Sequence, residues 1–159
     1  MKRKSGVLMH ISSLYGDYSI GSFGKSAKEF VDFLSECKFS YWQVLPFCMA
    51  DDCNSPYQSY STFAGNPYFV DLEALKNKGV ITEKELESQK QEQPYSAEYV
   101  KLYHTRLNFL REASKKVNYK DEVVKFIENS PYLKQFCEFM AYKEANDNKS
   151  WTEWTVDTY

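Results

Sequence analysis

The sequence predicts an α/β fold whose first unit is strand–helix–strand, and three observations predict it. Residues 5–11, SGVLMHI, form a nearly continuous apolar run of strand length, the pattern of a strand buried on both faces. Residues 26–37 place Phe30, Val31, Phe33, Leu34 and Cys37 on one face at helical spacing. Residues 41–46, YWQVLP, are a second apolar run, ended by Pro46, which has no N–H to give to a sheet ladder. Strand, helix and strand this close together make a βαβ unit, with parallel strands and a right-handed crossover. Either an α/β barrel or an open doubly wound sheet accommodates such a unit. No G-x-G-x-x-G joins the first strand to the helix, which argues against dinucleotide binding.

The elements follow in order. Residues 12–24 read as a loop, with Gly16, Gly21 and Gly24 as breakers. Ser26 and Glu29 have capping-box spacing at the start of the first helix. Residues 47–69 are a loop of more than 20 residues, rich in Asp, Asn, Ser, Gly, Pro and Tyr; loops that long inside a compact domain are usually functional. It leaves the C-terminal end of the second strand, and His10 and Ser12 sit at the matching end of the first. A short third strand is expected near 69–72. Thr82 and Glu85 form a second capping box, and 83–93 reads as a solvated turn or short helix. Residues 96–116 carry Tyr99, Val100, Tyr103, Leu107 and Leu110 on one face of a long amphipathic helix. A shorter helix covers 121–128. Ser130 and Pro131 supply an N-cap and an N1 proline for a last helix carrying Leu133, Phe136, Cys137, Met140 and Tyr142. A turn at 146–150 follows, with Trp151 and Trp154 beyond it. Strands and loops precede Gly79 and helices follow it, so the chain divides into 1–78 and 79–159.

Composition excludes several classes. The 159 residues carry a net charge of −2 and no block of Lys and Arg, so nothing provides for a nucleic-acid partner. The MKRK start is basic, but the apolar run behind it, 7–11, is too short for a signal peptide or a membrane span. A cytoplasmic protein with no membrane association is expected. Cys37, Cys48, Cys53 and Cys137 include no C-x-x-C pair and have no His at zinc spacing. They are expected as reduced thiols, Cys37 and Cys137 in the core, with Cys48 and Cys53 flanking a loop that could bring them together. Aromatics are abundant at 17%, including 13 Tyr. They fit either a Tyr-rich core or a sugar-binding surface, where ring faces stack on the C–H face of a pyranose.

The 47–69 loop has no Ser–His–Asp set and no phosphate-cradling glycines. Adjacent Asp51 and Asp52 read as solvated turn residues. Ser55, Tyr57, Gln58 and Asn66 offer hydroxyl and amide groups beside a ring face, with Pro56 stiffening the approach. That combination suits a neutral sugar; it also suits a polar loop that folds on itself.

SGVLMHISSL (5–14), YWQVLP (41–46), NSPYQSYSTFAGNP (54–67) and VDLEAL (70–75) occur in an order and spacing that resembles the 4-α-glucanotransferases, the amylomaltase or disproportionating-enzyme family. FMAYKEANDNKSWTEW (139–154) is similar to the same family. The resemblance implies a (β/α)8 TIM barrel, of which this chain is the N-terminal part with a mainly helical insertion at 79–159. It implies retaining transfer of α-1,4-glucan segments between maltooligosaccharides, with no metal or organic cofactor. Two carboxyl groups do such chemistry, one as nucleophile and one as acid and base. The family's catalytic carboxylates lie on later strands, so no catalytic residue is expected within 1–159, and the partner is the C-terminal part of the same barrel. Carried over, Tyr57 is the stacking residue, Ser55 and Gln58 are its neighbours, and Asn66 holds the loop backbone. His10 either reaches the site floor or is a core histidine, and Trp42 and Trp151 are assigned to packing. Two departures stand out: Tyr15 follows Ser-Ser-Leu where the family has proline, and Asp51–Asn54 replaces a glycine-rich turn. A non-catalytic glucan-binding or structural remnant is the alternative.

Overall fold

The computed structural model describes residues 3–50, 53–118 and 120–155. Asp51 and Asp52, read above as turn residues, lie outside them. Strand β1 (Gly6–Leu8) pairs in parallel with β2 (Tyr41–Gln43), Val7 opposite Trp42, and helix α1 (Lys25–Glu36) connects them. The βαβ unit is therefore present. Its strands are shorter than the apolar runs and are not buried: Leu8 and Tyr41 are both more than half exposed. Parallel strands are covered when further strands and helices flank them, and among the described residues this sheet has only two strands. Trp42 does pack, edge-on to Phe30 at 5.0 Å, and its indole N–H donates to the Met9 carbonyl at 2.7 Å.

Several local expectations are corrected. The box at Ser26 and Glu29 does not form; α1 starts after Gly24 without a side-chain cap. Glu29 instead accepts from the Tyr15 hydroxyl and lies near Lys25, while Ser26 is buried inside the first turn. No third strand forms near 69–72. Asn66 caps a 3-10 turn at Pro67–Phe69 and Asp71 caps α2 (Leu72–Asn77), so two side-chain caps five residues apart turn this stretch helical. Cys37 and Cys137 are exposed, not core. Cys37 ends α1, whose Val31 and Phe33 are themselves half exposed. Trp151 is also exposed; the packing tryptophan is Trp154, which contacts Phe139 at 5.4 Å and donates to the Lys149 carbonyl at 3.1 Å.

The capping box at α3 (Glu83–Glu87) forms as read. The Glu85 N–H donates to the Thr82 hydroxyl at 3.3 Å and the Glu85 carboxylate accepts the Thr82 N–H at 2.8 Å. Lys116, then the Thr82 backbone and hydroxyl, hold that carboxyl down at about 2. Thr82→Ala should lower stability by about 1 kcal/mol, read as a lower urea midpoint at unchanged m-value.

Beyond it, α4 (Tyr99–Lys101), a π-helical turn (Leu102–Arg106) and α5 (Leu107–Lys115) run on as one helix. Helices α6 (Lys120–Glu128) and α7 (Tyr132–Ala145) follow. Pro131, with φ −60° and ψ −25°, directly precedes α7 and already has the helical geometry expected of a first-position proline. One core cluster joins Ile11, Leu14, Ile20, Tyr68 and Phe69 to Leu102. A second joins Leu72, Val80, Ile81 and Leu86 to Ala113. Each draws residues from both sides of position 78.

Candidate functional site

The 47–69 loop is folded on its own backbone. Cys48 and Gly65 form an antiparallel bridge, as do Ala50 and Ser59, and the Asn66 N–H donates to the Phe47 carbonyl at 2.7 Å. The Ser61 hydroxyl accepts the Phe63 and Ala64 N–H groups, each at 3.2 Å. This loop is then fastened to the last helix. Tyr60 stacks tilted against Phe139 at 5.9 Å, and Phe63 meets Tyr132 at 5.4 Å. The Lys143 ammonium lies 5.0 Å from the Tyr60 ring centroid and bonds the carbonyl of Asn148. Asp147 and Asn148 both have positive φ there, a conformation Asn and Asp tolerate.

Between the loop, the α4–α5 helix and the end of α7 lies a groove of about 650 Å³. Tyr60, Tyr68, Tyr99 and Tyr103 contribute to its walls, with the amides of Asn54, Asn66, Asn108 and Asn148 among them. At the same groove Arg111 and Glu144 pair bidentately, at 2.8 and 2.6 Å. That pairing raises the Arg111 pKa and lowers the Glu144 pKa. Ring faces, amides and a self-neutralised ion pair suit a neutral, hydroxyl-rich ligand. Among the described residues, no group of three His, Cys, Asp or Glu side chains comes together to hold a metal ion.

Of the residues singled out in the sequence, Asn66 lines this groove and also accepts the Tyr68 N–H at 2.9 Å, the backbone role expected for it. Tyr57 lies outside the groove walls at the loop tip, 73% exposed, with Gln58 exposed beside it. Ser55 is half-buried, and its carbonyl accepts the Gln58 N–H at 3.1 Å. His10 is away from the groove and 9% exposed, held between Phe47 (5.9 Å, stacked) and Phe69 (5.3 Å, edge-on). Its Nδ1 is buried with no partner among the described residues. Residue spacing assigns Tyr99, Val100, Tyr103, Leu107 and Leu110 to one helix face; the first four line the groove, whereas Leu110 packs against the second core cluster. Glu144 and Arg111 were not singled out, since nothing in sequence links two charges 33 positions apart.

Burial lowers the His10 pKa from its usual 6.5. The folded chain therefore binds fewer protons than the unfolded one below that pH, so His10 contributes stability fully above about 6.5 and loses it as pH falls. Urea midpoints at pH 7.5 and 5.5 should differ more for the parent chain than for His10→Leu.

Comparison with known proteins assigns the family. A family model described as 4-alpha-glucanotransferase matches residues 9–159. A 4-alpha-glucanotransferase of Streptococcus pneumoniae is 46% identical over 158 residues, covering 96% of this chain and 31% of that protein. One from Thermus thermophilus is 35% identical, covering 98% and 32%. The solved amylomaltase from Streptococcus agalactiae in complex with acarbose superposes with a TM-score of 0.91 at 38% identity, covering 98% of this chain and 32% of that one. The chain thus spans about a third of the length of the relatives it matches, and it belongs to the 4-α-glucanotransferase family.

Proposed function

We propose that this chain supplies the substrate-side third of a 4-α-glucanotransferase acting on α-1,4-glucans such as maltooligosaccharides. The observation that carries this reading is the 650 Å³ groove, tyrosine-walled and amide-rich, inside a chain that matches the family over 9–159. In this reading β1, α1 and β2 open a (β/α)8 barrel. The 79–159 segment is an insertion that packs back on it through Leu102 and Ala113. The exposed Leu8 and Tyr41 fit strands that await neighbours. Tyr57 stacks on a glucose ring, Ser55 and Gln58 bond its hydroxyls, Asn66 holds the loop, and His10 sits beneath. The free thiols of Cys37, Cys48 and Cys137 fit a reducing, cytoplasmic setting.

The reaction is a retaining double displacement. A carboxylate attacks the anomeric carbon while a carboxylic acid protonates the departing glycosidic oxygen. The same group, now a carboxylate, takes the proton of an acceptor hydroxyl that displaces the enzyme. Both carboxyl groups are assigned to the remaining two-thirds of the longer relatives, and this chain binds and orients the glucan.

The test mixes the chain with the complementary C-terminal two-thirds of the Streptococcus pneumoniae relative and supplies maltotriose. Glucose and longer oligosaccharides should appear only when both pieces are present, and Tyr57→Ala should slow their release about tenfold or more. Disproportionation by the 159-residue chain alone at an enzyme-like rate would place the catalytic carboxylates within it and overturn the assignment.

A further inference from the structure

We infer that Arg111 and Glu144 form a hydroxyl-reading pair that grips the vicinal 2- and 3-hydroxyls of one glucose unit. This inference rests on the glucan reading above and adds a binding role to two charged residues. The pair joins α5 to α7 across 33 positions, at 2.8 and 2.6 Å, and both residues line the groove. Among the described residues, two other ion pairs, Lys76–Glu83 and Lys116–Glu85, join separate elements but lie outside the groove walls, and the remaining five link residues three or four apart in sequence. Those support a helix locally. The Arg111–Glu144 pair spans two elements and faces the groove.

Its chemistry fits a diol. Each sugar hydroxyl donates one hydrogen bond and accepts others, whereas guanidinium only donates and carboxylate only accepts. A fork–fork pair presents the two functions side by side, with N–H donors and carboxylate lone pairs left over after the mutual bonds. The side chains remain 52% and 55% exposed, so a ligand in the groove can reach those leftover sites. Asn108 steadies the guanidinium from the same helix, its Oδ1 3.5 Å from Nη1. The charges cancel each other, so the pair itself adds no net charge to the groove. Because each side chain is fixed by the other before binding, less rotamer freedom is lost when the sugar arrives. Tyr99 and Tyr103 lie on the helix that carries Arg111. The ring face that stacks a pyranose and the groups that read its edge thus share one rigid element.

The experiment is calorimetric titration of the 159-residue chain with maltoheptaose and with a 2-deoxy-maltooligosaccharide of the same length. The parent should bind maltoheptaose about tenfold more tightly than the 2-deoxy ligand, the worth of a hydrogen bond to a charged group. Glu144→Gln and Arg111→Gln should weaken maltoheptaose about tenfold and bind the two ligands alike. Exchanging the charges, Arg111→Glu with Glu144→Arg, should recover at least half of the lost discrimination. Glu144→Gln keeps the side chain's shape, and thermal melts of each variant establish that it is folded. Equal binding of the two ligands by the parent overturns the pair's role, as does unchanged discrimination in folded variants. If the parent binds neither ligand, the glucan reading falls and the pair's role falls with it. If the parent binds both and the variants match it, only the pair's role falls.

Discussion

Gly21→Ala should be among the most damaging single substitutions in the chain, costing about 3 kcal/mol or more. A Cβ at position 21 would collide with the Ile11 carbonyl oxygen, lie 2.8 Å from the Leu14 carbonyl oxygen and come within 3.0 Å of the Leu14 Cβ. The obstacles are backbone atoms of a 3-10 turn at Ile11–Ser13 and its cap, so no side-chain rotation relieves them. Ile11 and Leu14 are 1% and 6% exposed, in the same core cluster as Ile20 and Leu102. Pushing that turn outward would open the cluster that ties the first strand's exit to the π-turn helix. The measurement is the urea midpoint, or the fraction of soluble folded chain where the variant does not accumulate. A loss under 1 kcal/mol would show that the 11–21 segment yields easily and that the close approach is not structural.

Arg106→Ala should cost a comparable amount, about 3–5 kcal/mol, for a different reason. Arg106 is 2% exposed, and among the described residues no carboxylate forms a salt bridge with it. Burial, partly offset by the Tyr68 hydroxyl, lowers its guanidinium to about 10, still charged at neutral pH. The charge is dispersed onto neutral acceptors: Nη2 donates to the Tyr18 carbonyl at 2.6 Å and Nε to the Gln89 side chain at 3.4 Å. Truncation leaves a cavity and strips one buried and one part-buried acceptor of their donor. Arg106→Met should cost less, because it keeps the stem that fills the space and loses only the head. Equal losses for Ala and Met would assign the whole effect to the hydrogen bonds. Equal stability of Ala and parent would show that neither the hydrogen bonds nor the stem of Arg106 holds the fold.

Much of the fold was legible because local signals and tertiary context agree. The apolar runs around Val7 and Trp42 and the helix between them specify a parallel pair, and that pair forms. Thr82 and Glu85 specify a cap, and the cap forms. Where the reading failed, a distant partner had intervened. Glu29 has capping-box spacing, but Tyr15, fourteen residues away, takes its carboxylate. Residues 69–72 look like a strand, yet Asn66 and Asp71 nucleate helical turns at their own positions. Cys37 and Cys137 lie on apolar stripes, but those stripes are only partly covered. The candidate site was legible by half. The 47–69 loop stood out by its length and chemistry, and Asn66 was found within it. The facing wall was legible only in part: Tyr99 and Tyr103 share a helix face in the sequence, whereas Glu144 meets Arg111 only when the last helix folds over the loop.

The π-turn at Leu102–Arg106 acts as a phase corrector for that wall. Residues 99, 103, 107 and 111 face the groove at four-residue intervals. In an unbroken α-helix each such step precesses by about 40°, so Arg111 would end about 120° around the axis from Tyr99. A turn closed by i→i+5 bonds absorbs roughly one extra residue, about 100° of rotation. That brings the file of four back into line, while Leu102, Arg106 and Ala113 still point to the cores. One wide turn thus lets a single helix present a ring-bearing edge to the groove and a buried edge to the protein.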